Sequence, residues 1–499
     1  MGEAQSNIIK PTFNRSVRIQ FEDQRLTGNA GLLLLREADS RLGIIESIAR
    51  NSFDSRRQDR IRYQFQELLR ERVYAMALGY SAQDDLDRLA HDPAMRIAVW
   101  DRPGQQVLDE RLASQPTQSR LVKMIANNLA NMEALRTGIF ETVRRHVRGN
   151  SIDRRVLNAT IDMDSFPIEV HGNQEGSSYN GHYECEAYHP LVASFSIAGD
   201  YDNTRNSERF GGGFIDAMLR NGNVHTATGA AAFVDRVIVK AKQIAQHVDF
   251  RMDAGYTNGE IMDSMTDKNL KFVGRLKSNS RLDALACQYI QRRSGRPPAE
   301  GYEYCIELGD YQADSWKHAQ RLIVVVVDRP DPETKQLKLF PDYFFLVTNW
   351  PKHQRFADQL LNHYRPRGTF EDRLGEFNQA VGVHLSSKLF AENEATLLMA
   401  MLAFNLASTL RTEAEEEFDS GWDLERFQST VLRSAARVTK HARQLFVHVV
   451  SSVTKFWRCL SKRIERWNIP ADCPEPTCAQ RRTYRPPPIH AHLQEVLRS

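Results

Sequence analysis

The hydrophobic period of this chain changes at one place, and that change decides what it can fold into. Up to about residue 150 the apolar residues recur at helical spacing. The segments 31–42 (GLLLLREADSRL) and 63–78 (YQFQELLRERVYAMAL) read as helices, and Gly79 ends the second. From Val156 the period becomes two. The segment 156–166 (VLNATIDMDSF) alternates apolar and polar residues and ends in acidic ones; 191–198 and 214–219 are further strand candidates, with Gly211, Gly212 and Gly213 marking a turn or bulge between them. A helix over 228–246 offers Phe233, Val237, Ile238 and Ile244 to one face. A strand over 248–256, a helix over 258–267 and a strand over 271–276 follow. This succession predicts an α/β layered core.

After Lys277 the rhythm is interrupted. The segments 302–308, 322–328 and 343–348 are β-rich, and Arg329-Pro330-Asp331-Pro332 forms a loop among them, which predicts a mainly β insertion. Helices resume at Thr369, and 394–410 is a long apolar helix suited to burial. A chain of 499 residues is too long for one ordinary domain. The expected division is a helical region (1–150), a first part of the core (151–280), the β-rich insertion (281–350), a second part of the core (351–412) and a basic helical C-terminal region with its tail (413–499). The longest aliphatic run, 322–327, is far short of the ~20 residues a membrane span needs. The first ten residues lack the apolar core of a secretory signal, and six scattered cysteines argue against a disulfide scaffold. A soluble intracellular protein is expected, with no membrane partner.

Charge is unevenly spread. Between Arg426 and Arg485 there are 13 Lys and Arg against 3 acidic residues, a balance of +10; the whole chain carries +3, so the remainder sums to −7. Such a basic stretch is either a nucleic-acid footprint or a solvated helix face. A run of arginines at 56, 57, 60 and 62 is a second phosphate-contacting candidate.

The sequence contains no P-loop, no G-x-S-x-G, no H-E-x-x-H and no G-x-G-x-x-G after a strand. Cys473 and Cys478 form an isolated C-x4-C, better read as part of a proline-rich tail than as a zinc site. Three carboxylates stand out instead. Asp164 ends the first strand, Asp253 ends the strand that runs into Ala254-Gly255-Tyr256, and Glu371 opens the helix at Thr369. Carboxylates converging at strand ends can hold two hard cations, roughly 3.5–4 Å apart, and all-oxygen donors favour Mg²⁺ or Mn²⁺. Each position also has a structural explanation. Alternation puts Asp162 on the same face as Asp164 and does not separate them. Asp253 fits an ordinary turn, and Glu371 with Asp372 fits a helix start capped by Thr369.

Several blocks in fixed order resemble a known family. They are Leu26-Thr27 through Ala30-Gly31-Leu32-Leu33-Leu34-Leu35-Arg36, the run 72–80 (RVYAMALGY), Asp84-Asp85-Leu86-Asp87-Arg88-Leu89 before His91-Asp92-Pro93, the run 112–117 (LASQPT), and 170–176 (VHGNQEG) after the first acidic strand. Over about 26–460 the chain resembles bacterial insertion-sequence DDE transposases, specifically the insertion-sequence 1380 family. The resemblance implies a multidomain α/β protein whose RNase H-like catalytic core is interrupted by a β-rich insertion and flanked by helical regions. It implies a catalytic and metal-binding triad of Asp164, Asp253 and Glu371, holding two Mg²⁺ ions for which Mn²⁺ can substitute. Glu371 matches through a pattern like Tyr-x2-Arg-x3-Glu, here Tyr364, Arg367 and Glu371. The wider group often has Lys seven residues after the Glu; here that position is Asn378.

The function so implied is cut-and-paste transposition: recognition of the terminal inverted repeats of the chain's own element, metal-dependent cleavage, and joining to target DNA. Tyr364, Arg367, Asn378, Arg437 and Arg443 are the expected DNA contacts. Trp316 matches an aromatic position that stacks on an unpaired base, and a buried structural Trp explains it equally well. Synapsis of two ends implies a homodimer, and a bacterial protein of this kind is expected in the cytoplasm, on the nucleoid. The alternative is a catalytically inactive, transposase-derived, sequence-specific DNA-binding protein, which the Asn378 departure keeps open.

Overall fold

The computed structural model of the chain describes residues 25–467 except 103, 150–155, 199–207, 292–300, 331–337, 339 and 418–420, together with positions 8, 9, 16, 19 and 20. Cys473, Cys478 and the proline tract at 486–488 lie outside the described residues.

A short strand β1 (Leu26–Thr27) leads into helices, of which the main ones are α1 (Leu32–Leu42), α2 (Phe65–Ala77), α3 (Gln115–Ala126) and α4 (Leu129–Gly149). The core strands follow: β2 (Val156–Ser165), β3 (Leu191–Ala198) and β4 (Glu208–Met218). Then come α5 (Ala230–Ile244), β5 (Ala245–Met252), α6 (Gly259–Asp267) and β6 (Lys271–Leu276). Three more strands, β7 (Tyr302–Tyr311), β8 (Gln320–Asp328) and β9 (Asp342–Thr348), precede α7 (Ala357–Tyr364), α8 (Arg367–Ala380) and α9 (Phe390–Ala414). The C-terminal part is a hairpin, β10 (Ala436–His441) and β11 (Gln444–Val449), followed by α10 (Thr454–Arg466).

One eight-stranded sheet runs in the order β7-β8-β9-β6-β5-β2-β3-β4. Within it β2, β3 and β4 are successive antiparallel neighbours, while β5 and β6 run parallel to β2 after helical crossovers. The order β4-β3-β2-β5-β6 is that of an RNase H-like core. The β-rich segment is an insertion in sequence but a continuation in space, because β9 pairs antiparallel with the β6 edge, so 281–350 extends the same sheet. That position explains the unbroken aliphatic run in β8. Ile323 and Val325 pack with Leu360 and Leu361 of α7, whereas Leu322, Val324 and Val326 pack with Leu282 and Ala286 on the opposite face. A strand covered on both sides reads as continuous rather than alternating.

Helices α1 to α4 surround α9, whose two dozen residues are buried almost throughout. By length and composition α9 would cross a membrane; here its surface is taken up inside the protein. The helical regions at the two chain ends share this core, and β1 pairs with β10, so the N-terminal and C-terminal parts form one body. Two expectations are corrected. The basic C-terminal region is helical only in part, since 436–449 is a hairpin whose β-branched and aromatic residues alternate inward and outward. The glycines at 211–213 lie inside β4, at an irregularity of its register with β3 rather than between two strands; Gly212, at φ 73°, lets the Arg373 guanidinium lie where a Cβ would stand.

Candidate active site

The register of the sheet brings two of the carboxylates together. Met163 on β2 is paired with Met252 on the parallel strand β5, so Asp164 and Asp253 follow side by side at the carboxyl ends of neighbouring strands. Ligands of open α/β sheets gather at this kind of edge. Glu371 comes from α8, which is clamped over the end of β2 by Phe377; that ring meets Phe166 at 6.0 Å, Phe214 at 5.4 Å and Phe404 at 5.7 Å between centroids. The helix begins at Arg367, earlier than Thr369, whose hydroxyl donates to Pro366 O at 2.6 Å instead of capping. Glu371 therefore sits one turn in, and Arg367 lies one turn before it on the same side.

Arg367 is the hub. Its Nη2 donates to Asp164 Oδ2 at 2.6 Å and its Nη1 to Glu371 Oε1. The arginine side chain is 4% exposed, Asp164 19% and Glu371 61%, so the cation is sealed while the third carboxylate faces solvent. Burial works against charge on Arg367, and the carboxylates of Asp164, Asp253 and Glu371, with Tyr364, more than offset it, holding the guanidinium firmly protonated. Burial pushes the Asp164 carboxyl up, against the pull of Arg367 and the Ser165 amide, which donates to Asp164 Oδ1 at 2.8 Å. Tyr364 is pushed up to about 12, first by burial, with Asp253 and Glu371 adding to it against Arg367 and Arg275. Tyr256, in the turn after Asp253, is likewise raised by burial and by Asp164, so it stays a phenol.

Asp162, on the same face of the strand, has other surroundings. Asp162 is 1% exposed and takes a bidentate pair from Arg251 on the adjacent strand, at 2.8 and 2.6 Å. Arg251 also donates to His363 O at 3.3 Å, and His363 Nε2 meets Asp249 Oδ1 at 2.7 Å. This buried chain ties the end of α7 to β2 and β5, and thereby fixes the approach to Tyr364 and Arg367. His363 is buried in this chain, and the exposed Arg365 beside it pairs with Glu303. Sequence reading assigned no role to Arg251, His363 or Tyr256. The only signal was the segment 251–256, in which an arginine and an aromatic residue flank Asp253.

The remaining candidates lie apart from one another. Asn378 is exposed on the same helix face as Glu371, two turns along. Trp316 is 8% exposed, set against Gly259 at the start of α6 and edge-on to Tyr311 at 5.5 Å. Arg437 and Arg443 are exposed on the hairpin. An open cleft of about 490 Å³ runs along α8 between Glu371, Glu376 and Asp423 and contains neither Asp164 nor Asp253. Of the three carboxylates Glu371 is exposed, while Asp164 and Asp253 are half-buried at the strand ends.

Asp164, Asp253 and Glu371 form an all-oxygen donor set whose chemistry fits a hard divalent cation. Among the described residues no three His, Cys, Asp or Glu side chains already stand in coordinating positions; the positive charge between Asp164 and Glu371 is that of Arg367. Glu371 is the exposed member of the three.

A family model described as transposase DDE domain group 1 matches residues 9–467. No curated protein matches the sequence. Among solved structures, the piggyBac transposase synaptic complex with hairpin DNA, determined by cryo-EM, is similar at 12% identity and a TM-score of 0.42, over 91% of this chain and 86% of that one.

Proposed function

The chain belongs to the DDE transposase family of group 1, and from that premise we propose that it binds the terminal inverted repeats of its own mobile element, cleaves there and joins the ends to target DNA. The observation that carries this reading is the placement of Asp253 beside Asp164 at the carboxyl edge of the sheet, with Arg367 bridging Asp164 and Glu371. Asp164, Asp253 and Glu371 would hold the divalent metal, two Mg²⁺ with Mn²⁺ as substitute. When bound, such ions supply an activated water or 3′-OH and neutralise charge on the phosphodiester. The chain's own residues do the rest. Arg367, held charged, bridges Asp164 and Glu371, so it orients the two carboxylates and adds positive charge behind them. Tyr364, kept as a phenol, donates to a phosphate oxygen. The clamp of Phe377 and the Asp162–Arg251–His363 chain keeps α7 and α8 from shifting, so the donors stay aligned for in-line displacement. Asn378 offers an amide where relatives offer a cation, so the phosphate grip there is neutral. We infer that the protein acts as a homodimer on paired ends, that it belongs with the bacterial insertion-sequence 1380 family, and that it works on the nucleoid.

The test uses a labelled duplex from the DNA flanking the coding sequence, with wild type and Asp253→Asn, with and without Mg²⁺. The expected result is metal-dependent cleavage at the repeat boundary, reduced about 10³-fold or more in the variant, ~4 kcal/mol of transition-state stabilisation, with DNA binding retained. Tight binding without cleavage in Mg²⁺ and in Mn²⁺ would instead identify a DNA-binding protein derived from a transposase.

A further inference from the structure

We propose that the outward face of the β10–β11 hairpin reads base edges in the major groove of DNA, while α10 grips the backbone beside it. The inference rests on the DNA-recognition reading above and names the element that does the recognising.

The hairpin has two unlike faces. Val438 is buried in the helical core, with Leu445, Val447 and Val449 packed against it. Turned the other way are three cross-strand pairs, Arg437 with His448, Thr439 with Phe446, and His441 with Gln444. Apart from half-buried Thr439 these residues are exposed, Phe446 by 40%. Every polar member of that face has hydrogen-bonding groups that suit base edges, and none is acidic; the sequence contains no Asp or Glu between Glu425 and Glu465. Thr439 Oγ1 lies 3.0 Å from His448 Nε2, and Phe446 stacks with His448 at 6.4 Å, so the side chains are ordered by one another. Among the described residues the side chains of Arg437 and Arg443 make no hydrogen bond or ion pair.

The hairpin is held rigidly from behind. Lys440 Nζ pairs with both oxygens of Asp109 at 2.8 Å, Gln105 Nε2 donates to Gln444 O at 2.9 Å, and Val438 N donates to Arg25 O at 2.9 Å. Its turn places Ala442 at φ 45° and Arg443 at φ 64°, where glycine or asparagine is favoured. The fold keeps an arginine at the tip at some conformational cost. A two-stranded ribbon fits the major groove, about 12 Å wide, where arginine pairs with guanine and glutamine with adenine. Beyond the hairpin, Lys455, Arg458, Lys462 and Arg466 form an exposed stripe at helical spacing along α10, opposite the buried Phe456, Leu460 and Ile464. A stripe of point charges suits phosphates, and a mixed polar ribbon suits bases.

The experiment measures binding of the full chain to a duplex carrying the flanking inverted repeat and to a shuffled duplex of equal composition, over a series of salt concentrations. Gln444→Ala is expected to lower the preference for the repeat roughly tenfold, with the salt dependence unchanged. Arg458→Ala is expected to weaken both complexes alike and to reduce the salt slope by about 1. Wild-type preference that survives intact in Gln444→Ala and in Arg437→Ala would overturn the hairpin assignment alone. A wild type that binds both duplexes equally would overturn recognition of the repeats, and the hairpin assignment with it.

Discussion

Two aspartate–arginine pairs lie two residues apart on one strand of this protein, and they serve opposite ends. Asp162 and Arg251 are sealed inside the sheet, 1% and 3% exposed, with both carboxylate oxygens satisfied. Asp164 and Arg367 stand at the strand's end, where the arginine is buried but its carboxylate partners reach solvent. The chemistry of the pair is the same in both places. Burial of the carboxylate separates the two, sealed for Asp162 and reaching solvent for Asp164, and position along the strand sets that burial.

The comparison can be broken by removing one carboxylate at a time. Asp162→Ala would leave Arg251 charged and buried without its partner, at a cost of about 3–5 kcal/mol. Asp164→Ala leaves Arg367 paired with Glu371 and is expected to cost less than Asp162→Ala. Denaturant unfolding of the two variants against wild type measures the difference; equal losses would erase the distinction.

A sealed carboxylate with no cation beside it sharpens the same point. Glu71, on α2 in the helical core, is 1% exposed, and burial lifts its pKa to about 8 even though Gln118 and the Ala113 amide donate to it at 2.7 and 3.2 Å. The native state keeps a proton that the unfolded chain gives up. Its contribution to stability is therefore fully present at acid pH and is lost as pH rises towards 8. Glu71→Gln is expected to remove that loss, so that the denaturation midpoint of the variant gains on wild type between about pH 5 and about pH 8. A midpoint difference independent of pH would place a charged Glu71 in the core. At the far end of the scale, Asp235 and Lys268 pair at the surface, 53% and 41% exposed. Asp235→Ala is expected to change stability by no more than about 0.5 kcal/mol, read from the same unfolding curves.

Much of the fold was legible because local pattern and tertiary role agree. The strand at 191–198 and the helices at α5 and α6 carry their own periods and caps, Asn258 Oδ1 accepting from Ile261 N at 3.0 Å among them. The placement of β7 to β9 was not legible. Their apolar pattern says that they are strands, whereas their pairing with β6 is a contact between segments far apart in sequence. The hairpin was not legible because the alternation of Leu445, Val447 and Val449 lies in a stretch dense in Lys and Arg that also fits a solvated helix. Within the site, the four-residue spacing of Arg367 and Glu371 was visible, but the reach of Arg367 to Asp164, 203 residues away, was not. Nor did alternation separate Asp162 from Asp164; the guanidinium that each one meets makes that distinction.

The central claim is tested most directly by metal-dependent cleavage of the flanking DNA with Asp164→Asn and Asp162→Asn measured side by side, at a temperature where both remain folded. The account predicts that Asp164→Asn binds the DNA and does not cut it, whereas Asp162→Asn still cuts. Cleavage by Asp164→Asn together with its loss in Asp162→Asn would contradict the account and move the site one turn of the pleat into the sheet.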